Sequence, residues 1–237
     1  MWLIVATLCA FFVKGLCGFA NTLVFTSILG FMTDNINISP MELVLGYPSN
    51  LIVAWKEKKH IDWKICLPLS ALVIGGSLPG ILLLKNADAQ IIKIVFGFVL
   101  VLIGIEMLLR EYTKIQLKES KVVLAIIGVL SGLLCGLYGI GALLAAYVSR
   151  VTESSKSFKA NICIVFLIEN TFRIVAYSVV GIITAETVKR AILLVPAMLL
   201  GLFLGIKSGA VLKEQVVKKM VIVALILSGV ALVWNNW

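Results

Sequence analysis

The stretch VVLAIIGVLSGLLCGLYGIGALLAAYVS, residues 122–149, contains no charged side chain. It exceeds the roughly 20 apolar residues that cross a bilayer. It also holds Gly132, Gly136, Gly139 and Gly141, and glycine at that density weakens a helix. The run therefore reads as a membrane helix interrupted near its middle. In lipid, an unwound backbone survives only where protein buries it or where it lines a cavity.

The same character extends outward. Residues 65–84 and 220–237 include long apolar runs, and the chain is 61% hydrophobic and 14% charged. A soluble domain has about 25% charged residues, so a soluble core does not account for this composition. The fold class expected is all-α, a polytopic integral membrane protein. Hydrophobic runs set against charged breaks give eight helical elements, at 2–29, 41–55, 65–84, 91–109, 122–149, 160–183, 190–211 and 216–234. The first lacks a basic n-region and reads as a retained helix rather than a removed signal.

A repeat divides these elements into two related four-element halves with broken helices at the Gly-rich motifs. A shift of 121 residues places Gly15, Gly18 and Ala20 on Gly136, Gly139 and Gly141, and a shift of 120 places Asn50 on Asn170. Gly76 and Gly80 meet Gly201 and Gly205 at 125, and Pro68 meets Pro196 at 128. The domains expected are a first transmembrane repeat at 1–112, a polar linker at 113–120 and a second repeat at 121–237.

The second element is short and interrupted by Pro48, so it reads as re-entrant. If it and the sixth element do not cross, each half makes three crossings and the repeat inverts, with positions 58 and 156 on opposite faces. With eight full crossings, Lys and Arg fall on both faces and charge counting assigns no orientation.

The formal charge of +9 comes from short connections such as Lys56, Lys58, Lys59 and the segment from Arg110 to Lys121. Those belong at anionic lipid headgroups; no basic strip interleaved with aromatics points to nucleic acid. Five cysteines in apolar segments, with no Cys-x-x-Cys pair, read as small buried hydrophobes, and His60 is the only histidine. Metal centres, His-based triads and cofactors are not expected. The G-x-x-G-x-G spacing lacks the strand and acidic partner of a dinucleotide site, and no nucleotide motif supplies ATP drive.

The chemistry gathers at the interruptions. Gly15-Leu-Cys-Gly18-Phe-Ala-Asn21 and Gly136-Leu-Tyr138-Gly139-Ile-Gly141 sit mid-run, and helix N-termini freed there offer N–H groups and positive polarisation to an anion. Close helix packing is the competing role for these glycines, and the expected role of Gly76, Gly80, Gly201 and Gly205. Lys14 is the only charge in its segment; a central lysine costs about 2.5–3.5 kcal/mol and needs an internal partner or an anionic ligand. Glu169 and Arg173 lie one turn apart beside Asn170, either as a structural i,i+4 pair or as an oxyanion fork with a titrating partner. The substrate-binding set is thus Lys14, Gly15, Gly18, Asn21, Asn50, Tyr138, Gly139, Gly141, Asn170 and Arg173, with Glu169 as the coupling candidate.

On these residues the chain resembles the sulfite exporter TauE/SafE family of membrane permeases, whose halves each begin with a motif of the type G-x-x-G-x-G-G-G. The resemblance rests on Gly136 to Gly141, Gly15 to Asn21 and the later glycine pairs, and spans essentially the whole chain. Ala20, and Ala142 with Leu143, stand where the family tends to have glycine. The resemblance implies transport of sulfite, sulfonates or related organosulfur anions across the cytoplasmic membrane, often by export. The expected function is a secondary transporter working by alternating access at a midplane site, not an enzyme. Its partners are a small anion, the lipid bilayer, a coupling ion such as a proton and a second copy of the chain. The alternatives are an anion channel, a membrane-embedded thiol enzyme using Cys17 or Cys135, and a structural subunit of a membrane complex.

Overall fold

The first and fifth apolar elements each break in two. A computed structural model of the chain describes residues 2–112, 121–152, 154–208 and 214–237; the linker at 113–120 lies outside them. The helices are α1 (Trp2–Cys17), α2 (Asn21–Leu29), α3 (Asn35–Lys56), α4 (Trp63–Asn86), α5 (Ala89–Tyr112), α6 (Lys121–Tyr138), α7 (Ala142–Val151), α8 (Ser155–Val179), α9 (Ala185–Ser208) and α10 (Glu214–Asn236). No strand occurs among the described residues. The fold is an all-α membrane protein, and α4, α8 and α9 are each long and apolar enough to cross a bilayer.

The breaks have a backbone cause. Gly18 (φ +85°) and Gly139 (φ +74°), related by the 121-residue shift, both turn left-handed and end their helices. Ala20 also takes φ +72°, a conformation disfavoured for a residue with a Cβ, and is held there as the N-cap of α2.

Glycine contacts fix the directions of the helices. Gly201 packs on the Leu8 carbonyl and Gly205 on that of Phe12, so α1 and α9 run parallel. Gly76 and Gly80 pack on the carbonyls of Val129 and Leu133, so α4 and α6 run parallel too. Gly97 lies against Gly229 and Gly104 against Ile226, making α5 and α10 antiparallel. Ser39 bonds Tyr177 and Tyr47 bonds Thr171, so α3 and α8 are antiparallel.

These directions make α1–α2 and α6–α7 helical hairpins entering from opposite ends of the bundle. Asp34, just after α2, pairs with Lys93 near the start of α5, at the end where α1 also begins. The α6–α7 hairpin returns to the other end, where Asn161 of α8 accepts from the Asp62 amide at 2.7 Å and donates to the His60 carbonyl.

Two expectations are corrected here. The second element is a full 22-residue helix, α3, which runs beside α8 despite Pro40 and Pro48; the segments that turn back are the glycine-broken first and fifth. Consequently positions 58 and 156 lie at the same end, not opposite ends, since Ser157 reaches the His60 carbonyl. The prolines are tolerated because each leaves only one carbonyl of α3 without its helical donor.

The outer surface is apolar: Leu67, Leu102, Leu193, Phe203 and Leu227 are all more than half exposed. In water that surface would be costly, and in lipid it is the solvated face. Trp55 and Trp63 lie at one end, and Trp2, Trp234 and Trp237 at the other, all exposed like the aromatic belts at membrane interfaces.

Candidate functional site

The two hairpin tips meet inside the bundle. A Cβ added to Gly139 would lie 3.0 Å from the Thr22 methyl and 3.0 Å from Arg173 Nη1, so the second break touches the first turn after the first break. Around this junction is a cavity of about 20 Å³ lined by Ala20 to Leu23, Gly139, Gly141 and Ala142, together with four ionisable side chains. The N-terminal turns of α2 and α7 face it, and neither carries a side-chain cap. Their first-turn amides, beyond the reach of any intrahelical carbonyl, turn partial positive charge toward the cavity.

Lys14, Glu42, Glu169 and Arg173 supply two positive and two negative groups, none more than 3% exposed. Lys14 Nζ donates to Asn50 Oδ1 at 2.6 Å and to Asn21 Oδ1 at 3.2 Å. Asn21 Nδ2 in turn donates to Glu42 Oε1. Arg173 donates from Nη1 to the Cys135 carbonyl and from Nη2 to Asn170 Oδ1 at 3.0 Å. Its Nη2 also lies 3.9 Å from Glu42 Oε2, and its Nε 3.5 Å from Glu169 Oε1. Neither oxygen of Glu169 accepts a hydrogen bond.

A charge inside lipid is tolerated when it meets a partner in the protein. Here both lysine and arginine do, and each is fastened by one of the two asparagines related by the 120-residue shift. An ammonium has three donors and a guanidinium five, so these hydrogen bonds saturate neither cation.

Of the residues selected from sequence, Lys14, Asn21, Asn50, Gly139, Gly141, Glu169, Asn170 and Arg173 line the cavity together. Three do not. Gly15 sits against α9, where a Cβ would lie 2.5 Å from the Leu202 carbonyl, so it is a packing glycine. Gly18 makes the left-handed turn and is covered by the Lys159 side chain, whose Nζ donates to the Leu16 carbonyl at 2.9 Å. Tyr138 points away and donates to the Ile92 carbonyl at 3.1 Å.

Glu42 was not selected. It lies inside the second element, at 41–55, but one residue before that element's uncharged run at 43–55, so a search for charge-free runs discards it. Its signal is a lone carboxylate on a helix face that also carries Asn35, Ser39 and Ser49, all of them buried.

The TauE model, sulfite exporter TauE/SafE, matches residues 3–232. The chain belongs to the sulfite exporter TauE/SafE family. Membership makes it a membrane transporter of the sulfite and anion exporter kind, and TauE/SafE accounts for almost the whole sequence, both hairpins included. No match was found among curated proteins or among solved structures. Among the described residues no group of His, Cys, Asp and Glu is arranged to hold a metal ion.

Proposed function

We propose that this TauE/SafE protein is a secondary transporter of small oxyanions, sulfite, sulfonates or sulfoacetate-like compounds, exported through the site where the hairpin tips meet. One observation carries the reading: two helix N-termini and two buried cations converge on one cavity inside a lipid-facing bundle. Such a site suits an anion that must leave water.

The packing supports alternating access. The element order α1–α5 is matched by α6–α10, α3 is antiparallel to α8, and α5 to α10. That arrangement supports an inverted repeat with the site on its axis, as in other secondary transporters. The cavity is small, about 20 Å³, which supports a carrier rather than an open anion channel.

A coupling proton has Glu169 to sit on, a buried carboxylate that accepts no hydrogen bond and lies 3.5 Å from Arg173 Nε. Orientation follows the positive-inside rule once the hairpins are recognised: Lys56, Lys58, Lys59, Lys64 and Lys156 share one end, against Lys85, Lys93, Lys189 and Arg190 at the other. On that rule the basic end is the cytoplasmic one, which supports a place in the inner membrane.

The test is flux in liposomes holding purified protein, with sulfite, methanesulfonate and sulfoacetate inside and a proton gradient imposed. Expected is protein-dependent efflux of at least one of them, with Glu169→Gln retaining anion exchange and losing the response to the gradient. Absence of flux for every small oxyanion overturns the reading.

A further inference from the structure

The most informative buried group in the cavity stands outside the set chosen from sequence. Glu42 reaches from α3 to the junction of the tips. Its Oε1 accepts from Asn21 Nδ2 in the first turn of α2. Its Oε2 lies 3.9 Å from Arg173 Nη2 and 3.2 Å from where a Gly139 Cβ would be. Lys14 is tied to it through Asn21. The carboxylate is therefore held by Asn21 in the first turn of α2, lies beside the glycine of the second break, and sits between both cations. Those are the contacts an incoming oxyanion would need.

We infer that Glu42 is a resident anion: its carboxylate occupies the oxyanion seat between transport events, and substrate binds by displacing it. This rests on the anion-transport reading and narrows its substrate class to monoanions, so sulfoacetate, which carries a carboxylate beside its sulfonate, falls outside it. A seat filled by one carboxylate takes a singly charged group presenting two oxygens, such as a sulfonate, hydrogen sulfite or a carboxylate. A dianion would bring a second charge into a cluster whose two cations are already balanced by two carboxylates.

Two further features fit this role. The cavity is small, about 20 Å³, as a seat already filled by a carboxylate requires. Pro40 and Pro48 flank Glu42 on α3, and each removes a helical hydrogen bond, so the helix that must withdraw the carboxylate is also one loosened in its own backbone.

Apparent affinity is the intrinsic affinity reduced by the fraction of time the seat is free, so a carboxylate in place about nine-tenths of the time weakens binding about tenfold. The test is calorimetric titration of the purified protein with methanesulfonate, a monoanion at any working pH, and with sulfate. Glu42→Gln is expected to bind methanesulfonate about tenfold more tightly than the parent, with Glu42→Asp, whose shorter arm retracts from Arg173, in between.

Glu169→Gln removes the same charge from the same cluster without emptying the seat, so it is expected to tighten methanesulfonate less than Glu42→Gln does. Equal tightening in Glu42→Gln and Glu169→Gln would reduce the effect to net charge and overturn the proposal. Unchanged or weaker binding in Glu42→Gln overturns it as well, and Glu42→Asp is read by the same criterion if the glutamine variant does not fold. Sulfate binding more tightly than methanesulfonate sinks the monoanion assignment.

The liposome experiment separates the two ideas. Parental flux without any gain of binding in Glu42→Gln removes the resident-anion role and leaves transport standing. A gain of binding in a protein that moves no anion does the reverse.

Discussion

Lys14 Nζ and Asn50 Oδ1 are 2.6 Å apart, joining the end of the first hairpin arm to the middle of α3. The contact fixes a buried ammonium at the cavity wall, where it can meet an anion without being free to snorkel. Replacing Lys14 by Met keeps the apolar stem and removes the charge. The expected outcome is a fall in anion flux of about a hundredfold, on the scale of losing one buried charged hydrogen bond of about 2–3 kcal/mol. Normal membrane insertion with parental flux would remove Lys14 from the mechanism.

Arg173 contacts a carbonyl of α6, Asn170 of its own helix and two carboxylates, which takes most of a planar fork. A lysine keeps the charge but offers one point in place of several directed donors. Arg173→Lys is therefore expected to insert and fold, to lose thermal stability by a few degrees, and to raise KM more than it lowers the maximal rate. The comparison is made in the same liposome flux assay, with Tm measured in detergent.

Gly15 and Gly75 make a matched pair for the packing argument. A Cβ on Gly15 would come within 2.5 Å of the Leu202 carbonyl, whereas one on Gly75 would meet nothing within 4 Å. Gly15→Ala is expected to cost about 1–3 kcal/mol by forcing α1 off α9. Gly75→Ala is expected to be neutral or to gain about 0.5–1 kcal/mol through helix propensity. Thermal unfolding in detergent reads both, and equal effects would refute the close-packed α1–α9 seam.

Single cysteines at positions 58 and 156 are expected to react with an impermeant maleimide from the same side, the cytoplasmic one. Cysteines at 88 and 186 should react from the opposite side. Labelling of 58 and 156 from different sides would contradict the hairpin topology.

The two glycine breaks were legible because a glycine cluster in the middle of an uncharged run has, in lipid, few roles besides a break or a packing seam. So were the cations Lys14 and Arg173, each a charge where the surroundings forbid an unpartnered one. The direction of the chain at each break was not legible. A left-handed residue at Gly18 or Gly139 reverses the path, but a glycine in a sequence is equally compatible with a kink that carries on. That missing turn is why α3 read as the re-entrant piece, with Pro48 in view, and why the basic residues looked evenly divided. Gly15 and Tyr138 were assigned to the cavity by proximity in sequence; one faces α9 and the other the α5 backbone, and rotation about a helix axis is not resolved by a glycine motif. Glu42 was lost to a rule that equates charge with the edge of a membrane segment.

The parallel seams join α1 to α9 and α6 to α4, so each hairpin clasps a helix made by the other half of the gene. A ribosome that has delivered only the first 112 residues has produced α1 without its clasp and α4 with its glycine stripe bare. Neither portion can reach its mature packing before the other is synthesised. Manufacture of this transporter thus finishes late, when translation of the second half completes both interfaces, and a truncated product would be a substrate for membrane proteases rather than a half-working pump.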